Sequence, residues 1–420
     1  MRRRQQRSAH PFEIAIQELG FKGDGVAILD GERLLVPGAL PGERWQVRRG
    51  VRRGWLDPVA CLVASTERAR PPCGHFGMCG GCTLQHLRPE AYAELKRRHV
   101  RGALRARHVE VPEPIVIHRS PLGSRRRLRL GFDKGGRLGF RQRHSSAIVA
   151  IESCPIARPG LVALFAPLRQ LLPRLDCARK GGEVTLTALD SGVEVVLHLA
   201  VQPSLAERET LAAFAEAEAL VRLAITVDGA EPEPVAARLP AALTIAGLPV
   251  SLPPAAFLQA TAEGEACLQA FVVRHLEGAR RVVDLFAGVG TLSLPLAGPN
   301  VRIRAFDVAA ELVAACRHPR IEASCRNLFQ APLAPSELAG CDAIILDPPR
   351  AGAEAQVPEL ARSGVDRIVY VSCAPASFAR DAAVLVAGGY RLAALEIVDQ
   401  FVYTAEVELA AFFTRQPKGA

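Results

Sequence analysis

The chain has 420 residues, 49% of them apolar and 5% aromatic, with a formal charge of +9. That length implies two or three domains. No run of 18 apolar residues marks a membrane span. Eleven cysteines are too dilute for a disulfide scaffold and suit a reducing, cytoplasmic setting, where clustered thiols read as metal or catalytic sites.

The charge is uneven. Residues 1–150 hold 29 Lys and Arg against 13 Asp and Glu, whereas residues 151–420 hold 23 against 30. A basic front half is expected to meet a polyanion. Residues 1–11 read as a flexible basic arm rather than a secretion signal, because no apolar stretch follows; an organelle transit peptide is the alternative.

Residues 12–66 alternate apolar and polar in short runs, punctuated by Gly23-Asp24-Gly25, Pro37-Gly38 and Pro41-Gly42. That pattern predicts a small OB-like β-barrel, with Arg48, Arg49, Arg52 and Arg53 as an RNA platform. The next domain spans 67–254 and is mixed α+β. It opens on a cysteine cluster, then a basic amphipathic helix from Pro89 to Arg107 within a helical segment of about 86–110 that is expected to pack on the catalytic domain. A strongly basic strand region over 120–155 follows, with Gly135-Gly136 as a hairpin turn, then a helix at 160–175, a hairpin at 183–200 and a helix at 204–218.

From 255 to 420 strands and helices alternate. Helix 261–277, strand 281–286, helix 291–297, strand 301–306, strand 342–346, helix 354–362, strand 366–372 and helix 377–388 precede two closing strands near 390–398 and 406–414. Alternation of this kind predicts a doubly wound, Rossmann-like α/β sheet. Its strand ends carry the chemistry. Asp284-Leu-Phe-Ala-Gly-Val-Gly-Thr291 is a short nucleotide-binding turn in which Gly288 and Gly290 let backbone approach a ligand, and Asp307 ends the next strand, where an acid bonds ribose hydroxyls. This pair predicts an adenosyl cofactor. Asp347-Pro348-Pro349 forms a stiff loop suited to clamping a planar base. Cys373 follows a third strand as a candidate nucleophile, and Glu406 or Glu408 is the candidate base across the crevice.

The cluster Cys73, Cys79 and Cys82, with Cys154-Pro155 further on, suits four-thiolate ligation of a 4Fe-4S cluster, with structural zinc as the rival.

Pro-Pro-Cys-Gly-His-Phe-Gly-Met-Cys-Gly-Gly-Cys, Asp-Leu-Phe-Ala-Gly-Val-Gly, Leu-Asp-Pro-Pro-Arg-Ala-Gly and Val-Tyr-Val-Ser-Cys together resemble the RNA uracil-C5 methyltransferase family over nearly the whole chain. The likeness is greatest to the bacterial branch that acts on 23S ribosomal RNA and carries an N-terminal TRAM domain and an iron–sulfur cluster. The resemblance implies an S-adenosylmethionine site lined by Gln259, Phe286, Gly288, Gly290, Thr291, Asp307, Asn327 and Asp347. It also implies Cys373 as nucleophile, Glu408 as base and residues 12–66 as TRAM; a monomer is the default expectation. Three positions depart from the family pattern: Ala374 where Asn is common, Glu406 where His is common, and Thr291 where Asn is common. Transfer RNA is the alternative substrate; an RNA cytosine or adenine methyltransferase and a non-catalytic RNA-binding factor are the rival classes.

Overall fold

The computed structural model describes residues 10–316 and 318–415, so the expected basic arm lies outside the described residues up to position 9. Packing divides the chain into two units. The first holds residues up to His99 with Gln142–Ser145 and Tyr403–Ala405; the second holds Val100–Arg141, Ser146–Val402 and the chain from Glu406.

In the first unit the short alternating runs form antiparallel strands in two sheets. Phe12–Ala15, Arg44–Arg49 and Leu56–Val63 form one antiparallel sheet, and Glu18–Leu19, Gly25–Leu29 and Glu32–Val36 form another. Inward residues of both, including Ile14, Ala27, Leu34, Val36, Val47 and Leu56, share one core. Gly25 has to be glycine, because a Cβ there would fall 2.8 Å from Ala39. Glu43 sits inside with no exposure. It accepts N–H bonds from Leu40 at 2.8 Å, Ser65 at 3.1 Å and the Trp45 indole at 2.7 Å, and pairs with Arg68 at 2.5 Å. Burial pushes its carboxyl up, but the Arg68 guanidinium and these donors outweigh it and hold it at about 2.

In the second unit, a seven-stranded mixed sheet runs through residues 127–237. Helices Phe165–Leu171 and Leu205–Ala217 cover it, with Leu130, Phe165, Leu168, Leu186, Leu197 and Leu211 among the core residues. Ser204 and Glu207 close a capping box on the second helix, satisfying N–H groups that would otherwise lack partners.

The eight-stranded sheet carries the strand-end motifs. Its strands are β1 (Val116–Arg119), β2 (Arg281–Leu285), β3 (Arg302–Asp307), β4 (Ile321–Cys325), β5 (Ala343–Leu346), β6 (Arg367–Ser372), β7 (Tyr390–Asp399) and β8 (Glu408–Arg415). The spatial order is β4-β3-β2-β5-β6-β8-β7-β1. Strands β2 to β6 are mutually parallel, and β8 runs antiparallel to both neighbours. The central strands are apolar on both faces because both are covered. In β5, Ile344 and Leu346 join one core while Ala343 and Ile345 join the other, which α1 (Ala262–Leu276) covers. From β2 the chain winds outward through β3 and β4, then returns beside β2 as β5 and winds the other way. The crevice therefore opens at the carboxyl ends of β2 and β5.

Three elements differ from expectation. The helix over 291–297 is only a 3-10 turn, Leu294–Leu296, since Pro295 cannot donate an N–H to a longer one. A short helix α2 (Ala310–Ala315) and strand β4 fill a stretch that carries no strong periodicity. Strand β1, far upstream in sequence, pairs parallel with β7. Helices α3 (Val357–Ser363) and α4 (Pro375–Ala387) form close to their expected bounds, and Pro89–Arg105 is helical.

Candidate active site

A cavity of about 490 Å³ lies at the carboxyl ends of β2 to β6. The end of β2 supplies Asp284, Phe286 and Gly288; β3 supplies Asp307; the chain after β4 supplies Asn327 and Phe329; the chain after β5 supplies Asp347 to Arg350; the chain after β6 supplies Cys373. Because β8 runs antiparallel to β6, its first residue, Glu408, arrives at the same edge, with its neighbour Leu409 opposite Ser372. Of the expected site residues, Gln259, Phe286, Gly288, Thr291, Asp307, Asn327, Asp347, Cys373 and Glu408 all line this cavity, and Gly290 does not.

The β2 turn is shaped for close approach. Phe286, Gly288 and Gly290 have φ of 62°, 56° and 82°. A left-handed Phe is uncommon and marks a backbone held against its preference. A Cβ at Gly288 would meet nothing, so that glycine serves φ and leaves room for a ligand. One at Gly290 would fall 2.7 Å from Cys316 Sγ. Asp307 is fixed from both sides: Oδ2 accepts from Gly288 N at 2.9 Å and Oδ1 from Ala309 N at 3.0 Å. Phe286 and Phe329 meet at 5.5 Å between ring centres, one wall of an aromatic slot.

The cavity is acidic. Asp284 is buried, with Oδ2 lacking a hydrogen-bond partner, and burial pushes its carboxyl up to about 7, opposed by Ser293 and reinforced by Asp347 and Asp307. Burial likewise lifts Asp347 to about 7, opposed by Gln259, whose Nε2 donates at 3.2 Å. Glu408, 4% exposed, is raised well above the usual range by burial and the Asp347 charge. Cys373, half-buried, is pushed up to about 11 by burial and then by Glu408, with Arg350 pulling the other way. A cation placed among these carboxyls would lower all four values and be held by them.

The two candidate bases separate here. Glu408 lines the cavity, whereas Glu406 is half-exposed and pairs with Arg350 at 2.6 Å. Sequence reasoning missed Phe329, the buried carboxyl of Asp284 as a site group, and Gln400. Gln400 stands between Asp399 and Phe401 in the sequence, with no local pattern to single it out. What the arrangement offers is a thiol, a buried acid beside it, and an acidic, aromatic-walled pocket for a cationic nucleoside.

Cys73, Cys79 and Cys82 lie in a turn-rich loop of the first unit, where Cys79 Sγ accepts from Gly81 N at 3.4 Å; Cys154 belongs to the second unit. Among the described residues, no group of three or more His, Cys, Asp or Glu side chains is arranged to hold a metal ion. None of their helices is long and apolar enough to cross a membrane.

Comparison with known proteins accords with this geometry. The family described as tRNA (Uracil-5-)-methyltransferase matches residues 339–416. A Brucella suis protein described as an uncharacterized RNA methyltransferase is 37% identical, covering 97% of this chain and 99% of its own. The 23S rRNA (uracil(1939)-C(5))-methyltransferase RlmD of Halomonas elongata is 36% identical over 94% of this chain and 88% of its own. Among solved structures, the Pyrococcus abyssi tRNA (uracil-54, C5)-methyltransferase in complex with S-adenosyl-L-homocysteine superposes with a TM-score of 0.75 at 24% identity, covering 96% of this chain and 99% of that one, a likeness of fold.

Proposed function

We infer the reaction from the premise that this chain belongs to the RNA uracil-C5 methyltransferase family. It is an S-adenosylmethionine-dependent enzyme that methylates C5 of a uridine in RNA. The substrate we propose is 23S ribosomal RNA, supported by relatives of that name at 35% and 36% identity over almost the full chain. The observation that carries the mechanism is the convergence of Cys373 and Glu408 in one acidic cavity.

S-adenosylmethionine supplies an electrophilic methyl group on a cationic sulfur. Gln259, Phe286, Gly288, Gly290, Thr291, Asp307, Asn327 and Asp347 are proposed to hold it. In this reading Asp307 bonds the ribose hydroxyls and Phe286 and Phe329 flank the adenine, supported by their lining one cavity, and the raised carboxyls of Asp284 and Asp347 favour the cation.

Uracil C5 is a weak nucleophile. With its proton lost as a cation in the cavity lowers its pKa, Cys373 would bond to C6 as the thiolate. The displaced electron pair makes C5 an enolate carbon that would take the methyl as the methyl–sulfur bond breaks and its pair stays on the sulfur, leaving neutral S-adenosylhomocysteine. The Glu408 carboxylate then takes the C5 proton. The C–H pair reforms the C5–C6 double bond as the C6–sulfur bond breaks, returning the thiolate. A carboxyl raised by burial is a stronger base than an exposed one, which suits that step. The target base must leave its stack, which favours unpaired RNA.

The finer domain reading is proposed with the reaction: a TRAM-like barrel over 12–66, a central RNA-binding domain over 67–254 and the methyltransferase domain over 255–420. Two small sheets around one core support the first of these. A 4Fe-4S cluster on Cys73, Cys79, Cys82 and Cys154 is proposed on the thiol motif alone, since the described side chains form no ready metal group. Iron and sulfide analysis of anaerobically purified protein tests it, and zinc without iron rejects it. No step of methyl transfer needs the cluster.

The test of function is labelled S-adenosylmethionine with unmodified bacterial RNA, followed by nucleoside analysis. Labelled 5-methyluridine in 23S RNA is expected. The label in transfer RNA would move the substrate, and a different methylated nucleoside would overturn the reading.

A further inference from the structure

Gln400 is buried, 2% exposed, between the end of β7 and the turn that leads to β8. Its side-chain amide is fully used. Oε1 accepts from the backbone N–H of Ala260 at 2.7 Å. Nε2 donates to Gln259 Oε1 at 2.7 Å and to Glu408 Oε2 at 3.0 Å. A backbone N–H can only donate, so the amide atom facing Ala260 has to be oxygen, and the orientation of Gln400 is fixed without ambiguity. That fixes Gln259 in turn. Its oxygen faces Gln400, so its Nε2 faces Asp347 Oδ2 at 3.2 Å. Two amides thus form a one-way chain of N–H donors, with Asp347 and Glu408 at its two accepting ends.

The segment beneath is equally fixed. Arg126, buried, donates Nε to the Gln259 carbonyl at 2.8 Å and its backbone N–H to the Ala260 carbonyl at 2.9 Å, and it pairs with buried Glu265. Gln400 is therefore held by a stretch of chain that is itself clamped, and it cannot turn away from Glu408 without leaving the Ala260 N–H buried and unpaired.

Resting on the uracil-C5 reading above, we propose that Gln400 is a positioning residue that orients Glu408 as the base, favours its carboxylate over its acid by donating an N–H to it, and ties it to Gln259 on the cofactor side of the cavity. The groups facing Glu408 are Asp347 after β5, Cys373 and Arg350; neighbouring Asp399 turns instead toward Arg119 at 3.9 Å. Asp347 disfavours the carboxylate and Arg350 favours it. Gln400 is the neutral donor that works with Arg350 toward the charged form, against burial and Asp347, and an N–H bond to a charged group is among the stronger hydrogen bonds.

Loss of the donor has a signature that loose packing does not share. With Gln400→Met, similar in volume but without a donor, Glu408 keeps its proton to higher pH. Removal of the C5 proton then slows, while Cys373 addition and methylation proceed. The methylated RNA joined covalently to protein accumulates, visible on a denaturing gel as labelled RNA of retarded mobility. Turnover is expected to fall on the order of tenfold at pH 6.5 and to recover toward wild type at pH 9. Gln400→Glu places a like charge beside Glu408 and should move the acid limb of the turnover profile further up than Met does.

Both variants are measured beside wild type, with S-adenosylhomocysteine affinity as the check on folding. Unshifted acid limbs, or a loss equal at all pH values without adduct, would overturn the role of Gln400. If Gln400→Met fails to bind S-adenosylhomocysteine, Gln400→Glu carries the test by the same two readouts. If wild type itself makes no 5-methyluridine, the uracil-C5 reading fails instead, which separates the two outcomes.

Discussion

Buried carboxyls in the two units are treated in opposite ways. Glu43, inside the first unit, meets Arg68 and three N–H donors and is held at about 2. In the cavity of the second unit, Asp284 has an oxygen with no partner, Asp347 has one amide donor, and both are pushed up to about 7. Desolvation raises all three, and what differs is the supply of donors and charge: Glu43 has the Arg68 cation, whereas Asp284 faces the like charges of Asp347 and Asp307. A fully supplied carboxylate holds a fold together. An undersupplied one is costly to fold around and gains only when a cation or a proton arrives, which is what a binding and proton-transfer site requires.

The largest effect breaks the chemistry at its first bond. Cys373→Ala should abolish labelled 5-methyluridine while leaving S-adenosylhomocysteine affinity within a few-fold, read by calorimetry. Turnover in this variant would remove the covalent route. Glu408→Gln comes next, with turnover down by about 10²–10⁴ and the covalent RNA adduct trapped, because addition and methylation precede the step it serves. An equally inactive variant without adduct would place Glu408 earlier in the reaction.

Glu43→Ala tests the opposite side of the contrast. It leaves Arg68 and the Trp45 indole without their buried acceptor, and breaking such a pair costs about 3–5 kcal/mol. Denaturant unfolding followed by Trp45 fluorescence should record that loss, whereas Asp347→Asn, which removes an undersupplied charge, should leave stability unchanged or raised at pH 8. Equal losses from both would erase the distinction between the two carboxyl classes.

The parts of this contrast differed in how far they could be read in sequence. Strand ends were legible because the apolar runs give way to Gly288, Asp347 and Ser372, and parallel strands bring such ends to one edge. The pairing of β1 with the far edge of the sheet was not legible, since Val116–Arg119 is a four-residue strand with no pattern to name its partner. The helix expected over 291–297 was overridden by Pro295. Choosing between Glu406 and Glu408 needed tertiary placement, because both alternate on the same strand face in the sequence; only the start of β8 sets which one enters the cavity. Gln400 was hidden for the reason that makes it informative: its partners, Ala260, Gln259 and Glu408, come from separate stretches of the chain, and no local spacing announces them.

The smallest effect is a pH dependence, and its sign follows from the raised carboxyls. Asp284 and Asp347 hold their protons more tightly in the folded protein than an unfolded carboxyl does, so their contribution to stability is present below the unfolded value near 4 and is lost as pH rises through about 7. Glu43 acts in the other direction, contributing above the unfolded value and failing as pH falls toward 2. In the proposed cofactor site, the cavity carboxyls are the ones a sulfonium would meet. Affinity for S-adenosylmethionine should therefore rise several-fold between pH 5.5 and 7.5 and level off above it, as protons leave on binding. S-adenosylhomocysteine, whose sulfur is neutral, should respond less, so the ratio of the two affinities climbs with pH. Asp347→Asn should flatten that climb. Calorimetry in two buffers of different ionisation enthalpy reads the protons released directly, and a ratio independent of pH in wild type would mean that the undersupplied carboxyls do not recognise the cation.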